Sequence, residues 1–194
     1  TQSKISYLNA KDLRHPLIEK IINNKYISND IELGNMLLYA INSAGKSSLL
    51  KAIGINIIMA QAGLYTPSKL TYYPYNKILT RLSGNDDILK GKSSFIVEME
   101  ELGIILRDAD ENSLILIDEL SKGSEHDSAI SLTISTINEL IKRQSSFILT
   151  SHLHELTNLI DNNIQVKHLS VKYNEKDDEL IYDRKLQDGG IDSL

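Results

Sequence analysis

Short apolar runs alternate along the chain with longer stretches of helical periodicity. Met36 to Ile41 is a brief apolar run that reads as a buried strand, and Lys46 to Ala62 follows it as a helix. Ile78 to Leu82 is a second candidate strand. From Ser94 to Asp108 the residues Phe95, Val97, Met99, Leu102, Ile105 and Leu106 recur near helical spacing. Leu114 to Ile117 is wholly apolar and runs straight into Asp118 and Glu119. Asp127 to Arg143 predicts a long helix, with Ile130, Ile134, Ile137 and Ile141 at three- and four-residue steps. Phe147 to Thr150 is another apolar strand, closed by Ser151 and His152, and His154 to Ile160 predicts a short helix. In the tail, Gln165 to Tyr173 and Glu179 to Leu186 alternate around the turn-like Asn174 to Asp178, the pattern of a hairpin. Strands separated by helical stretches predict βαβ units. The expected fold is α/β, a central and mostly parallel sheet flanked by helices, with an antiparallel β portion.

Composition changes this picture little. The 194 residues fit one domain, 1–194, with 41% hydrophobic and 24% charged residues, an ordinary globular balance. A formal charge of -5 supplies no global positive field, so this domain alone is not expected to grip DNA. Absence of cysteine excludes disulfide frameworks and thiolate metal sites. The longest apolar runs, such as Ile53 to Ala60, are far shorter than a bilayer span, so no membrane partner is expected. With no signal peptide at the start, an intracellular location is the default. Opening on Thr1 and stopping at Leu194, the chain reads as an excised C-terminal part of a longer protein.

Candidate chemistry begins at Ala40 to Ser48. Ala40-Ile41-Asn42-Ser43-Ala44-Gly45-Lys46-Ser47 lies between an apolar strand and a helix, where a phosphate-binding loop must sit. Such a loop wraps backbone N–H groups around phosphate oxygens and adds the positive end of the helix dipole. Lys46 would reach the outer phosphates of ATP, and the Ser47 hydroxyl would complete the shell of a magnesium ion. Gly45 lets the backbone approach without a Cβ in the way. Ala40 departs from the pattern G-x-x-x-x-G-K-[ST], and alanine there would cost about 1–2 kcal/mol if φ had to be positive. The plainer reading of the same residues is a helix start capped by serine.

Asp118 and Glu119 end a buried strand, at the edge where open parallel sheets bind ligands. Asp118 would hold magnesium through water, and Glu119 would orient or deprotonate the water that attacks the terminal phosphate. The plainer reading is a pair capping the next helix. His152, just past the strand Phe147 to Thr150, is placed to hydrogen-bond the terminal phosphate and sense its presence. His154 is its rival, while His126 and His168 have no comparable placement.

These residues resemble the ATPase domain of MutS-type DNA mismatch repair proteins, within the ABC ATPase superfamily of P-loop NTPases. Leu13-Arg14-His15-Pro16 resembles the family's R-H-P segment, and Ile41 to Ser48 its P-N-M-G-G-K-S-T. Ala62-Gly63 to Pro67 resembles its G-x-x-V-P turn. Thr80 to Glu100, reading TRLSGNDDILKGKSSFIVEME, is similar to R-I-G-A-x-D-D-L-x-x-G-x-S-T-F-x-V-E-M nearly residue for residue. Transporter ATPases carry L-S-G-G-Q instead. Leu116 to Glu119 with Lys122-Gly123, and Thr150 to His152 with Leu156-Thr157, complete the match.

The resemblance implies that Asn42, Ser43, Ala44, Gly45, Lys46, Ser47 and Ser48 bind ATP or ADP, with Ser47 and Asp118 on magnesium. It implies that Glu119 and Lys46 serve hydrolysis, with His152 as the switch. Tyr26 would lie against the adenine ring, flanked by Ile27. Ser93 would reach into a partner subunit's nucleotide, which implies a homodimer or a paired ATPase domain with composite sites. As a bare residue, Ser93 reads equally as the N-cap of the following helix. DNA would be bound by domains outside this chain. Ala40, Ile41 and Ala44 replace glycine, proline and glycine, and Ser124 to Asp127 is a residue shorter than the common pattern, which suggests a divergent branch. Two other readings stay open: another ABC-type ATPase of chromosome maintenance, and a nucleotide-binding module that does not hydrolyse.

Overall fold

The computed structural model describes residues 5–23, 25–82, 94–120, 125–174 and 179–190. Among these, strands β1 (Tyr7–Leu13), β2 (Asn29–Leu33) and β3 (Asn35–Tyr39) precede the long helix α2 (Lys46–Gln61), with a single-turn helix α1 (Ile18–Ile21) between β1 and β2. After them come β4 (Lys69–Tyr73), β5 (Lys77–Arg81), α3 (Ser94–Asp108), β6 (Ser113–Asp118), α4 (His126–Lys142) and β7 (Ser146–Ser151). A 3-10 turn (His154–Asn158) leads to β8 (Gln165–Leu169), β9 (Lys172–Asn174), β10 (Glu179–Ile181) and β11 (Leu186–Asp188).

The large sheet has six strands in the order β11-β8-β3-β7-β6-β5, parallel from β8 to β5, with β11 antiparallel on β8. Every residue of β6 and β7 is buried, which is why both read as unbroken apolar runs rather than as alternation. Their side chains nevertheless divide between two cores. Met36, Leu38, Leu114, Leu116 and Ile148 face α2, while Leu37, Tyr39, Ile115, Ile117, Phe147 and Leu149 face α3 and α4. At Gly54 an added Cβ would stand 3.2 Å from Leu116 Cδ1, so the missing side chain lets α2 lie close on β6.

A second, antiparallel sheet of three strands, β2-β1-β4, packs beside α2. Leu8, Ala10, Ile31 and Leu33 send alternate side chains into the α2 core, and Leu13 joins them past a register shift after Ala10. The expected antiparallel portion at the C-terminal end is present as the β9–β10 and β8–β11 pairings. The three-stranded sheet is additional, and its strands are not marked out by the apolar pattern. The Arg14-His15-Pro16 segment is tied to α2 by Asn56, a fully buried amide that donates to the Arg14 carbonyl at 2.8 Å.

Candidate functional site

Parallel register brings four strand ends to one edge. Tyr39 pairs with Ser151, Asp118 with Thr150 and Arg81 with Ile117, so the loop after β3 faces the carboxylates after β6. This is the carboxyl edge of the sheet, where α/β folds place ligands.

The loop 40–45 turns by two left-handed residues, Ser43 at φ 68° and Gly45 at φ 108°. Ala40 is not among the positive-φ residues, so its methyl brings no backbone strain. It is buried, and its carbonyl accepts a 2.8 Å hydrogen bond from Lys46 Nζ. Gly45 forms the N-cap of α2 and has no side chain with which to cap it. No serine side chain caps α2, against the plainer reading, and the Ser47 hydroxyl donates instead to Asp118 Oδ2.

Lys46 is only 7% exposed, and its ammonium lies 2.8 Å from Glu119 Oε1. A charge buried that far needs partners, and the carboxylate and the Ala40 carbonyl supply them. Asp118 is buried and accepts from Ser47 and, at 2.8 Å, from Thr150 Oγ1. Glu119 sits at φ 53°, a left-handed conformation that costs a non-glycine residue about 1–2 kcal/mol. Its N–H donates to Thr150 Oγ1 at 3.0 Å and its carbonyl accepts from Arg81 Nη1 at 2.9 Å. Because α4 begins at His126 with Glu125 as its N-cap, the two carboxylates do not cap that helix.

Asn42, Ser43, Gly45, Lys46, Ser47, Ser48, Asp118 and Glu119 line one cavity of about 300 Å³. A larger cavity of about 670 Å³ adjoins it and shares Gly45 and Ser48. Tyr26, Ile27 and Ala44 line this second space, together with Tyr182 and Arg184. Burial pushes the Tyr26 hydroxyl above its ordinary value, although a hydrogen bond with the His15 backbone opposes the shift. Asn29 closes the far wall: its side-chain amide donates to the Arg184 carbonyl at 3.1 Å and accepts from the Leu186 N–H at 2.7 Å.

His152 stands apart. It is exposed after β7 and lines neither cavity. The turn that carries it is held from inside by Tyr39, whose hydroxyl donates to the Leu153 carbonyl at 3.1 Å and accepts from Thr157 Oγ1 at 3.0 Å. His154 stacks on the Tyr39 ring at 5.5 Å, which gives this rival a packing role. Ser93 and most of the segment between β5 and α3 lie outside the described residues. Sequence reasoning gave Thr150, Arg81, Tyr182 and Arg184 no role in the site, although Thr150 and Arg81 fall within segments that resemble the family. Of these only Arg81 carried a signal, a charge at the end of an apolar strand.

The family model described as MutS domain V matches residues 36–193. The mitochondrial DNA mismatch repair protein mutS homolog of Sarcophyton glaucum is 43% identical over 193 residues, covering 97% of this chain and 20% of that protein. A putative DNA mismatch repair protein mutS homolog of Acanthamoeba polyphaga mimivirus is 37% identical over 234 residues, 97% of this chain and 21% of its own length. The DNA mismatch repair protein MutS of Clostridium novyi is 36% identical over 192 residues, 94% of this chain and 21% of its own. The chain thus spans about a fifth of the length of these curated relatives. No helix among the described residues is long and apolar enough to cross a membrane. Matched by the domain V model over most of its length, the chain belongs to the MutS family.

Proposed function

We propose that this domain binds ATP with magnesium and hydrolyses it, as the nucleotide-driven part of a DNA mismatch repair protein. The observation that carries the reading is Lys46, buried at the floor of the loop between the Ala40 carbonyl and the Glu119 carboxylate. An ammonium held only by oxygens can exchange one of them for a phosphate oxygen. Phosphates laid along the loop would take Lys46 from Glu119 and leave that carboxylate to orient water and accept its proton. The larger cavity, walled by Tyr26 and Ile27, has room for the base.

Magnesium fits the donors present. Among the described residues no cluster of three or more His, Asp or Glu could hold a metal alone. Ser47 and Asp118 offer instead one hydroxyl and one carboxylate, already paired. Magnesium characteristically takes one or two protein oxygens and completes its shell with water and substrate phosphates. When bound, it neutralises charge developing on the phosphates. Thr150 keeps Asp118 oriented throughout.

His152 would sense the terminal phosphate from its exposed turn, and Ser93 would complete the site of a second copy, which makes the domain dimeric. DNA would be engaged by parts of a longer protein, and the location would be intracellular and DNA-associated. The names of the relatives, all mismatch repair proteins, support this setting. The test is Glu119→Gln, expected to keep ATP binding while lowering steady-state hydrolysis by about 100-fold or more. If the wild-type protein with magnesium neither binds nor turns over ATP, even at concentrations that favour a dimer, the reading fails.

A further inference from the structure

Arg81 is the last residue of β5, and its side chain is 14% exposed. Its guanidinium points two ways. Nη1 donates to the carbonyls of Asp118 at 3.3 Å and Glu119 at 2.9 Å. Nη2 lies 3.3 Å from Glu98 Oε2, and Nε lies 3.7 Å from Glu101 Oε2, both on α3. Glu98 is 2% exposed, so this carboxylate belongs to the interior. One planar cation therefore joins α3 to the backbone of the two acidic residues. The residue it grips most closely, Glu119, is the one held in the left-handed conformation. Strain of that kind persists only where neighbours over-determine it.

Resting on the ATPase reading above, we propose that Arg81 is a positioning residue for hydrolysis, acting through the Glu119 backbone. With the N–H fixed by Thr150 and the carbonyl by Arg81, both peptide units flanking the Glu119 Cα are tied down. The side chain is thereby aimed at Lys46, and at the phosphate that replaces it. The carboxylates of α3 set where the guanidinium stands, so a shift of α3 moves the base without any contact to nucleotide. Lysine cannot substitute, because one ammonium does not reproduce a fork that faces two carbonyls and two carboxylates.

Three arms test this on the purified protein, with Arg81→Ala and Arg81→Lys compared at equal folded fraction. Arg81→Ala should lower kcat by roughly 10- to 100-fold, the loss typical of a misplaced catalytic group. Its affinity for a fluorescent non-hydrolysable ATP analogue should change by less than about threefold, which marks an effect on the reaction and not on binding. Arg81→Lys, expected to recover folding stability, should recover little of that turnover. The second arm needs no nucleotide: hydrogen exchange of the Glu119 amide should quicken about tenfold in Arg81→Ala, while amides of β7 stay unchanged. Third, adding Arg81→Ala to Glu119→Gln should not lower residual turnover further. Equal losses in kcat and affinity, full rescue by lysine, an unchanged Glu119 amide, or multiplying effects in the double variant would each overturn the proposal. A wild type without turnover would sink the ATPase reading instead. The exchange rates alone would then decide whether Arg81 holds Glu119.

Discussion

The two sheets of this domain are built on different terms. In the six-stranded sheet β6 and β7 are buried at every position, and both faces carry a core. In the three-stranded sheet β1 and β2 bury only alternate residues, so one face rests on the α2 core. The first arrangement ends in the loop 40–45 and the acidic pair Asp118 and Glu119. The second supplies a side wall: the chain leading into β2, from Tyr26 to Asn29, borders the larger cavity and is tied to the C-terminal segment through Asn29. Under the proposed function, the chemistry falls to the ends of strands packed between two cores. The same reading leaves the base of the nucleotide to the wall beside the three-stranded sheet.

Predictions that probe this contrast begin in the large sheet. Phe147→Ala removes the largest side chain of β7, which is wholly buried. It should cost about 3–5 kcal/mol, seen as a single cooperative shift in a denaturant melt. A loss confined to local hydrogen exchange would break the idea that this sheet is the global unit. Next comes Asn29→Ala, which leaves the Arg184 carbonyl and the Leu186 N–H without that partner, at about 1–3 kcal/mol. Its signature should be a raised KM for ATP with kcat unchanged. A matching fall in kcat would mean that the wall and the reacting end are not separable.

A pH-dependent effect should come from His15, which links β1 to α1. Burial, the largest cause, lowers its pKa from the ordinary 6.5, helped by the charge of Lys51 and opposed by a backbone hydrogen bond. Its Nδ1 faces the N–H groups of Leu17 and Ile18 at 3.3 Å each, so the ring acts as a neutral acceptor. The unfolded chain then binds more protons than the folded one between the lowered value and 6.5. Stability contributed by the neutral ring should be present above that window and lost as pH falls through it. Urea midpoints followed from about pH 7.5 to about pH 5 should fall more steeply for the wild type than for His15→Asn. Identical slopes would remove His15 from the account. Smallest of all, Lys77→Ala breaks a half-exposed pair with Asp110 on the outer edge of the large sheet and should cost under about 1 kcal/mol. A larger loss would show that the edge strand bears as much of the fold's stability as β6 does.

Legibility followed the same division. Leu114 to Ile117 and Phe147 to Thr150 stood out because strands buried on both faces must be apolar throughout. Helices α3 and α4 stood out by periodicity and α2 by its place after the strand and loop, all with ends within a residue or so of those expected. β1, β2 and β4 were not legible as a sheet. Asn9, Lys11, Asp30 and Glu32 occupy their exposed positions, and what pairs β1 with β2 and β4 is a set of contacts distant in sequence. Within the site, Ala40 looked like a defect by pattern alone. The loop instead places its left-handed turns at Ser43 and Gly45 and uses Ala40 for its carbonyl.

By itself the sequence determined the α/β order, the loop between β3 and α2, and the two carboxylates at the end of a buried strand. These depend on local periodicity and on residue types at short spacing, which the chain carries in one dimension. Tertiary structure alone decided that Lys46 rests on Glu119, that Ser47 serves Asp118 and not the helix, and that His152 lines neither cavity. It also decided that Arg81 grips Glu119 from behind while α3 grips Arg81. Each of those contacts joins residues far apart in the chain, and only the parallel register of β5, β6, β7 and β3 makes them neighbours.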